Sequence, residues 1–222
     1  MRVLPILFNG DMVRAILDGR KTVTRRIVKK QPEISLDGTE CECRHEKGFY
    51  DMGGNNWVCR QCGYGVIPMR GGSWIHALYQ PGDILYVRET WCGWHLPHGE
   101  LLYRYKATDP NDNKTPKGPE YDEEWEVIPW RPSIHMPKAA ARIWLKVTDV
   151  RVERIKDMCS DYDNFLKEGL IQEHGFRSEL ANCFKRLWNY TIKKSDLDRY
   201  GWDASPWVWV IEFERCEKPE EV

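Results

Sequence analysis

Ala15-Ile-Leu-Asp-Gly-Arg-Lys-Thr-Val-Thr-Arg-Arg26 leaves a helix, turns at a glycine and enters a strand. Upstream, Met12, Val13, Ile16 and Leu17 recur at helical spacing, with Asp11 placed to cap the start and Gly19 to stop the end. From Thr22 to Val28 the composition turns β-prone. Strand alternation puts Thr22, Thr24 and Arg26 on one face and Val23, Arg25 and Ile27 on the other. Between Arg14 and Lys30 lie seven basic residues and one acid, Asp18, a local charge of +6. Hydroxyls and guanidinium groups so arranged beside Lys21 suit an anionic or hydrogen-bonding ligand such as a phosphate or a nucleobase. The competing reading is a solvated basic edge strand.

Outward from this turn the chain reads mainly as strands. Residues 3–9 are apolar, Pro81-Gly82-Asp83 introduces a strand over Ile84–Trp91, and Leu101–Tyr105 forms another. Ala141–Ile155 is long and β-rich, and Trp207–Cys216 alternates as a well-covered strand. Short helices are expected from Ser160 to Gly169 and after Ser178, the latter with Leu180, Cys183, Phe184, Leu187 and Trp188 on one face. Strands outnumber helices, which suggests a mainly β (α+β) fold: a small barrel with peripheral helices. The 222 residues suffice for one domain, 1–222, with two insertions: 33–76, and an acidic loop at 106–130 carrying Glu120, Asp122, Glu123, Glu124 and Glu126.

Composition narrows the function. With 33 basic and 34 acidic residues the net charge is −1, which excludes a polycationic binder. Eleven Trp are unusual, and most are expected in the core. The first residues, MRVLPILFNGD, read as a strand with no cleavage site, and no apolar run reaches membrane-helix length, so the expected setting is cytoplasmic without a membrane.

Eight cysteines in a reducing compartment favour metal binding or buried thiols over disulfides. Cys41-Glu-Cys43 and Cys59-Arg-Gln-Cys62-Gly63 lie 15 residues apart. Four thiolates at this spacing fit one structural Zn²⁺, and His45 is an alternative ligand to Cys41 or Cys43. Four free cysteines in a loop are the competing reading. The segment has little apolar content, and a metal staple would stabilise it. Cys92, Cys159, Cys183 and Cys216 stand alone and read as buried thiols.

The 15–26 stretch, Ile6-Leu-Phe, Pro81-Gly-Asp83 before a strand and the late Glu168-Gly169 resemble the ASCH domain, a superfamily related to the PUA RNA-binding domain. Gly82-Asp-Ile-Leu-Tyr-Val-Arg-Glu-Thr-Trp91 and Trp130-Arg-Pro-Ser-Ile-His-Met-Pro137 are similar to its larger phage and prophage branch. The resemblance spans the chain apart from the two insertions. It implies a PUA-like barrel with a cleft lined by the Gly-Arg-Lys-Thr turn, here with a zinc-ribbon-like insertion. The branch with known chemistry, the small bacterial N4-acetylcytidine amidohydrolase, uses a Lys, a Thr and a Glu, which implies Lys21, Thr24 and, by placement, Glu168 as catalytic residues. In that mechanism Thr24 attacks the acyl carbon, Lys21 accepts its proton and Glu168 passes a proton to the leaving amine.

Further cleft candidates are Arg20, Arg25, Arg26, Glu89, Trp91, Trp130 and His135. Glu89 shares a strand face with Leu85 and Val87; if that face is the core, the acid needs a partner such as Arg26 or Arg142. Two functions follow. One is recognition of RNA, single-stranded nucleic acid or a modified nucleoside at the basic cleft. The other is amidohydrolysis of an N4-acylated cytidine nucleoside.

Overall fold

A computed structural model describes residues 2–29, 31, 49–51, 57–59, 65–68, 74–95, 101–109, 114–116, 125–127, 129–171 and 177–220. In chain order the elements are β1 (Val3–Leu7), α1 (Gly10–Leu17), β2 (Val23–Ile27), β3 (Phe49–Asp51), β4 (Trp57–Cys59), β5 (Gly65–Pro68) and β6 (Trp74–His76). There follow β7 (Ile84–Arg88), β8 (Trp91–His95), β9 (Leu101–Tyr105), β10 (Lys114–Pro116), β11 (Trp125–Val127) and β12 (Trp144–Arg154). Helices α2 (Asp163–Lys167), α3 (Arg177–Thr191) and α4 (Leu197–Tyr200) precede β13 (Trp207–Cys216). The fold is mixed α+β around a five-stranded sheet in the order β1-β7-β12-β13-β2. No closed barrel is found among the described residues. No described helix is long and apolar enough to cross a membrane.

The chain divides into two compact units. The first comprises residues 20–83 and 146–214. In it β2 pairs antiparallel with β13, Val23 opposite Glu212 and Ile27 opposite Val208. Over its first five residues β13 is buried on both faces, so side chains of either parity are apolar there. Against Val208 and Val210 packs α3, through Leu180, Phe184 and Trp188, one residue per helical turn. Phe184 stacks on Trp188 at 6.3 Å between centroids and meets Trp202 and Phe165 edge-on at 5.8 and 6.1 Å. Phe184→Ala is expected to cost about 3–5 kcal/mol in urea unfolding, because three aromatic neighbours cannot close the gap.

The second unit comprises residues 2–19, 84–145 and 215–220 of those described. Its β1 runs parallel to β7, with Val3 opposite Ile84 and Leu7 opposite Arg88. β8 and β9 form a hairpin, Trp91 opposite Tyr105.

Several local expectations need correction. Asn9, not Asp11, caps α1, its side chain accepting from the Met12 amide at 2.9 Å. Asp11 instead pairs with Arg14 one turn on. The strand expected over Ile84–Trp91 breaks at Glu89 and Thr90. Ser160 closes a 3-10 turn (Ile155–Ser160), and α2 starts at Asp163, whose amide the Asp161 side chain accepts. α3 already includes Arg177, so Ser178 lies inside it. On that helix Leu187 is exposed and Cys183 only half-buried. Within the 106–130 excursion β10 and β11 pair antiparallel, while Glu120, Asp122, Glu123 and Glu124 lie outside the described residues. Of the four lone thiols Cys92 alone is buried; Cys159 is exposed, and Cys183 and Cys216 are intermediate.

Candidate functional site

Two tight turns build the site from opposite ends of the sequence. Gly19 at φ +74° and Gly169 at φ +92° both sit in the left-handed region, which only glycine enters cheaply. The turn after Gly19 is laced to the end of α2. Arg20 donates to the Gly169 carbonyl at 2.6 Å, Thr22 N to Lys167 O at 2.9 Å, and Lys21 forms an isolated antiparallel bridge with Glu168.

Lys21 is 2% exposed. Its ammonium donates to Glu168 Oε2 at 2.6 Å, Glu168 O at 3.0 Å and Val23 O at 2.7 Å, an acceptor for each of its three protons. Arg25 donates to the other Glu168 oxygen, Oε1, at 3.0 Å and lies 3.5 Å from Glu153. Arg151 bonds Glu153 at 2.6 Å, Asp149 at 2.9 Å and also Glu212, extending the network along this face. Burial lowers the Lys21 pKa; Arg26 and Arg25 push the same way, and Glu168 opposes them. For Glu168 burial works to raise the pKa, but the charges and hydrogen bonds of Lys21 and Arg25 outweigh it and hold the carboxyl below its ordinary range.

The other face of β2 is different in kind. Strand alternation turns Thr24 and Arg26 away from Arg25. Thr24 lies opposite Ile211 and Arg26 opposite Trp209 in the pairing with β13, and directly opposed residues project to the same side. A cavity of about 760 Å³ opens around the Arg26–Lys29 end of β2, lined by Arg26, Trp209 and Ile211 and, from the opposite strand face, by Ile27 and Ile192, with Tyr79, Lys29 and Lys193. Burial lowers the Arg26 pKa, yet a guanidinium stays protonated near neutrality. Burial raises the Tyr79 pKa, and the Arg26 charge only partly offsets it, so the phenol is neutral. An apolar slot with three aromatic residues, Tyr79, Tyr200 and Trp209, a half-buried guanidinium and two lysines can hold a planar ring and an anion.

Of the expected catalytic residues, Lys21 and Glu168 are thus in direct contact, and Thr24, 1% exposed, lies on the opposite strand face from Arg25. Arg26 lines the cavity, while Arg20 and Arg25 belong to the buried lacing. The remaining candidates lie in the second unit. Glu89 is 1% exposed and takes both carboxylate oxygens to Arg142 at 2.9 Å, one of the two partners expected for it. Trp91 packs with Met136 and Ala140, and Arg131 stands 5.3 Å over its ring. The buried indole nitrogens of Trp91 and Trp130 have no hydrogen-bond partner. His135 is exposed at the end of a 3-10 turn (Ser133–His135). Cys41, Cys43, His45 and Cys62 lie outside the described residues. The Cys59 backbone closes β4, within the four-stranded sheet β3-β4-β5-β6.

Tyr79, Trp209 and Lys193 were not singled out by the sequence. Trp209 reads as core by alternation, and its register opposite Arg26 is a pairing between residues 183 positions apart. Comparison of the chain with protein-family models, with curated proteins and with solved structures finds no match in any of the three.

Proposed function

We propose that this protein recognises a nucleobase or modified nucleoside, presented by RNA, single-stranded nucleic acid or a free nucleoside, in the cavity at the Arg26–Lys29 end of β2, which the Gly-Arg-Lys-Thr turn itself does not line. The observation that carries this reading is the pairing of Arg26 with Trp209 on the wall of a cavity also lined by Tyr79. Aromatic faces stack on any base, and a guanidinium reads acceptor edges. An ASCH-type, PUA-like barrel of the phage and prophage branch is the fold-level form of the proposal. A structural zinc on Cys41, Cys43, Cys59 and Cys62 is its counterpart for the insertion. One zinc per chain by elemental mass spectrometry supports the staple, and a stoichiometry well below one removes it.

Arg26→Ala is expected to weaken nucleoside or RNA binding about tenfold or more, since a charge-assisted hydrogen bond to the base is lost. In a salt titration of RNA affinity, a slope and affinity unchanged by Arg26→Ala would refute the assignment.

The alternative is the amidohydrolase. The 2.6 Å contact of Lys21 with Glu168 and the lowered Lys21 pKa favour it. The Thr24 hydroxyl would take the acyl group while its proton passes to neutral Lys21. The Glu168 carboxylate would relay that proton from Lys21 to the departing amine, and water would then release the acyl group from Thr24. Against it stand the burial of the pair and the strand alternation at Thr24. Turnover of N4-acetylcytidine abolished by both Lys21→Ala and Glu168→Ala, in variants that remain folded, supports the enzyme. Binding without turnover supports the recognition module.

A further inference from the structure

The cavity carries more positive charge than a neutral nucleoside requires. Among the described residues, Arg26, Lys29 and Lys193 line it against one acid, Asp196. The rings lie deep: Tyr79 and Trp209 are each 7% exposed. Lys29 and Lys193, by contrast, are exposed, so their ammonium groups act from the rim as hydrated point charges, a form suited to phosphate oxygens.

The rim is anchored by backbone bonds. Tyr200 Oη donates to the Lys29 carbonyl at 2.6 Å, and Asp196 N donates to the Lys193 carbonyl at 2.8 Å. Tyr200 and Asp196 both line the cavity themselves, so each lysine is tied through its own carbonyl to another wall residue. A base between the rings uses the apolar wall and Arg26, which leaves the two rim lysines for an anion. At neutral pH a phosphomonoester carries about −1.5 to −2, against the single charge of an internal phosphodiester, and so matches two lysines better.

We propose that this cavity takes a nucleotide with a terminal phosphomonoester, its base against Tyr79 and Trp209 and its phosphate at Lys29 and Lys193. The proposal rests on the nucleoside reading above. The phosphomonoester belongs either to a free mononucleotide or to the phosphorylated end of an RNA strand.

Calorimetric titration at low salt tests it with cytidine, cytidine 5′-monophosphate, inorganic phosphate, and a cytidine tetranucleotide with and without a 5′-phosphate. The monophosphate is expected to bind about tenfold more tightly than cytidine. In the Lys29→Ala/Lys193→Ala double variant the ratio of monophosphate to cytidine affinity should fall below about threefold, whatever the change in cytidine affinity itself. A matching gain for the 5′-phosphorylated tetranucleotide over its unphosphorylated form supports an RNA end, and a gain confined to the monophosphate supports a free nucleotide. Equal affinities for cytidine and its monophosphate overturn the proposal and leave the nucleoside reading standing. Inorganic phosphate binding as tightly as the monophosphate also overturns it. Binding of none of the cytidine probes overturns the nucleoside reading beneath it.

Discussion

Glu168→Gln is expected to destabilise the protein by about 3–5 kcal/mol, the cost of leaving buried cations without their counter-charge. Glu168 is the shared anion of Lys21 and Arg25, whose side chains are 0% and 1% exposed. The amide keeps the shape of the carboxylate but presents a donor where one of two cationic donors already points. Replacing Lys21 by Met in the same chain should recover part of the loss, because one of the two stranded cations is removed while Arg25 stays buried.

The pH dependence has a fixed sign. The Glu168 pKa is depressed in the folded state, so its stabilisation is present above the unfolded value of about 4.3 and is lost as pH falls toward the folded one. Lys21 is also depressed, so the unfolded chain binds the extra proton and stability from this group rises with pH toward its ordinary value. Urea unfolding between pH 3 and 7 should show a steeper acid loss in the parent than in Glu168→Gln. Equal stability of the two at pH 7 would remove the network from the fold's support.

Arg142→Met should have an effect of similar size, about 3–5 kcal/mol, for the mirror-image reason. It strands Glu89, 1% exposed, with neither of its two 2.9 Å hydrogen bonds. Arg142 also donates to Thr108 Oγ1 at 2.9 Å and lies 4.1 Å over the Tyr105 ring, contacts that methionine replaces only in part. Glu89→Gln in the Arg142→Met background separates the terms. Recovery there assigns the loss to the unpaired carboxylate; no recovery assigns it to the lost packing over Tyr105.

Much of this molecule is legible in the chain because the governing forces are local. The 3.6-residue recurrence along Leu180, Phe184 and Trp188 marks α3, and Leu101–Tyr105 and Trp207–Cys216 appear as strands with the bounds expected of them. Gly19 and Gly169 end their helices because both need a positive φ. Even the inward acid at Glu89 follows from alternation, since a carboxylate on an apolar face must find a cation.

The site divides along the same line. Period-two alternation alone separates Thr24 and Arg26 from Arg25, and composition alone marks the 14–30 segment as strongly basic. Tertiary structure decided the rest. That Glu168 meets Lys21, 147 positions away, and Trp209 stands opposite Arg26 follows from sheet register and from where α2 ends. Register is set by the sum of packing over whole strands, and no short window of sequence contains it.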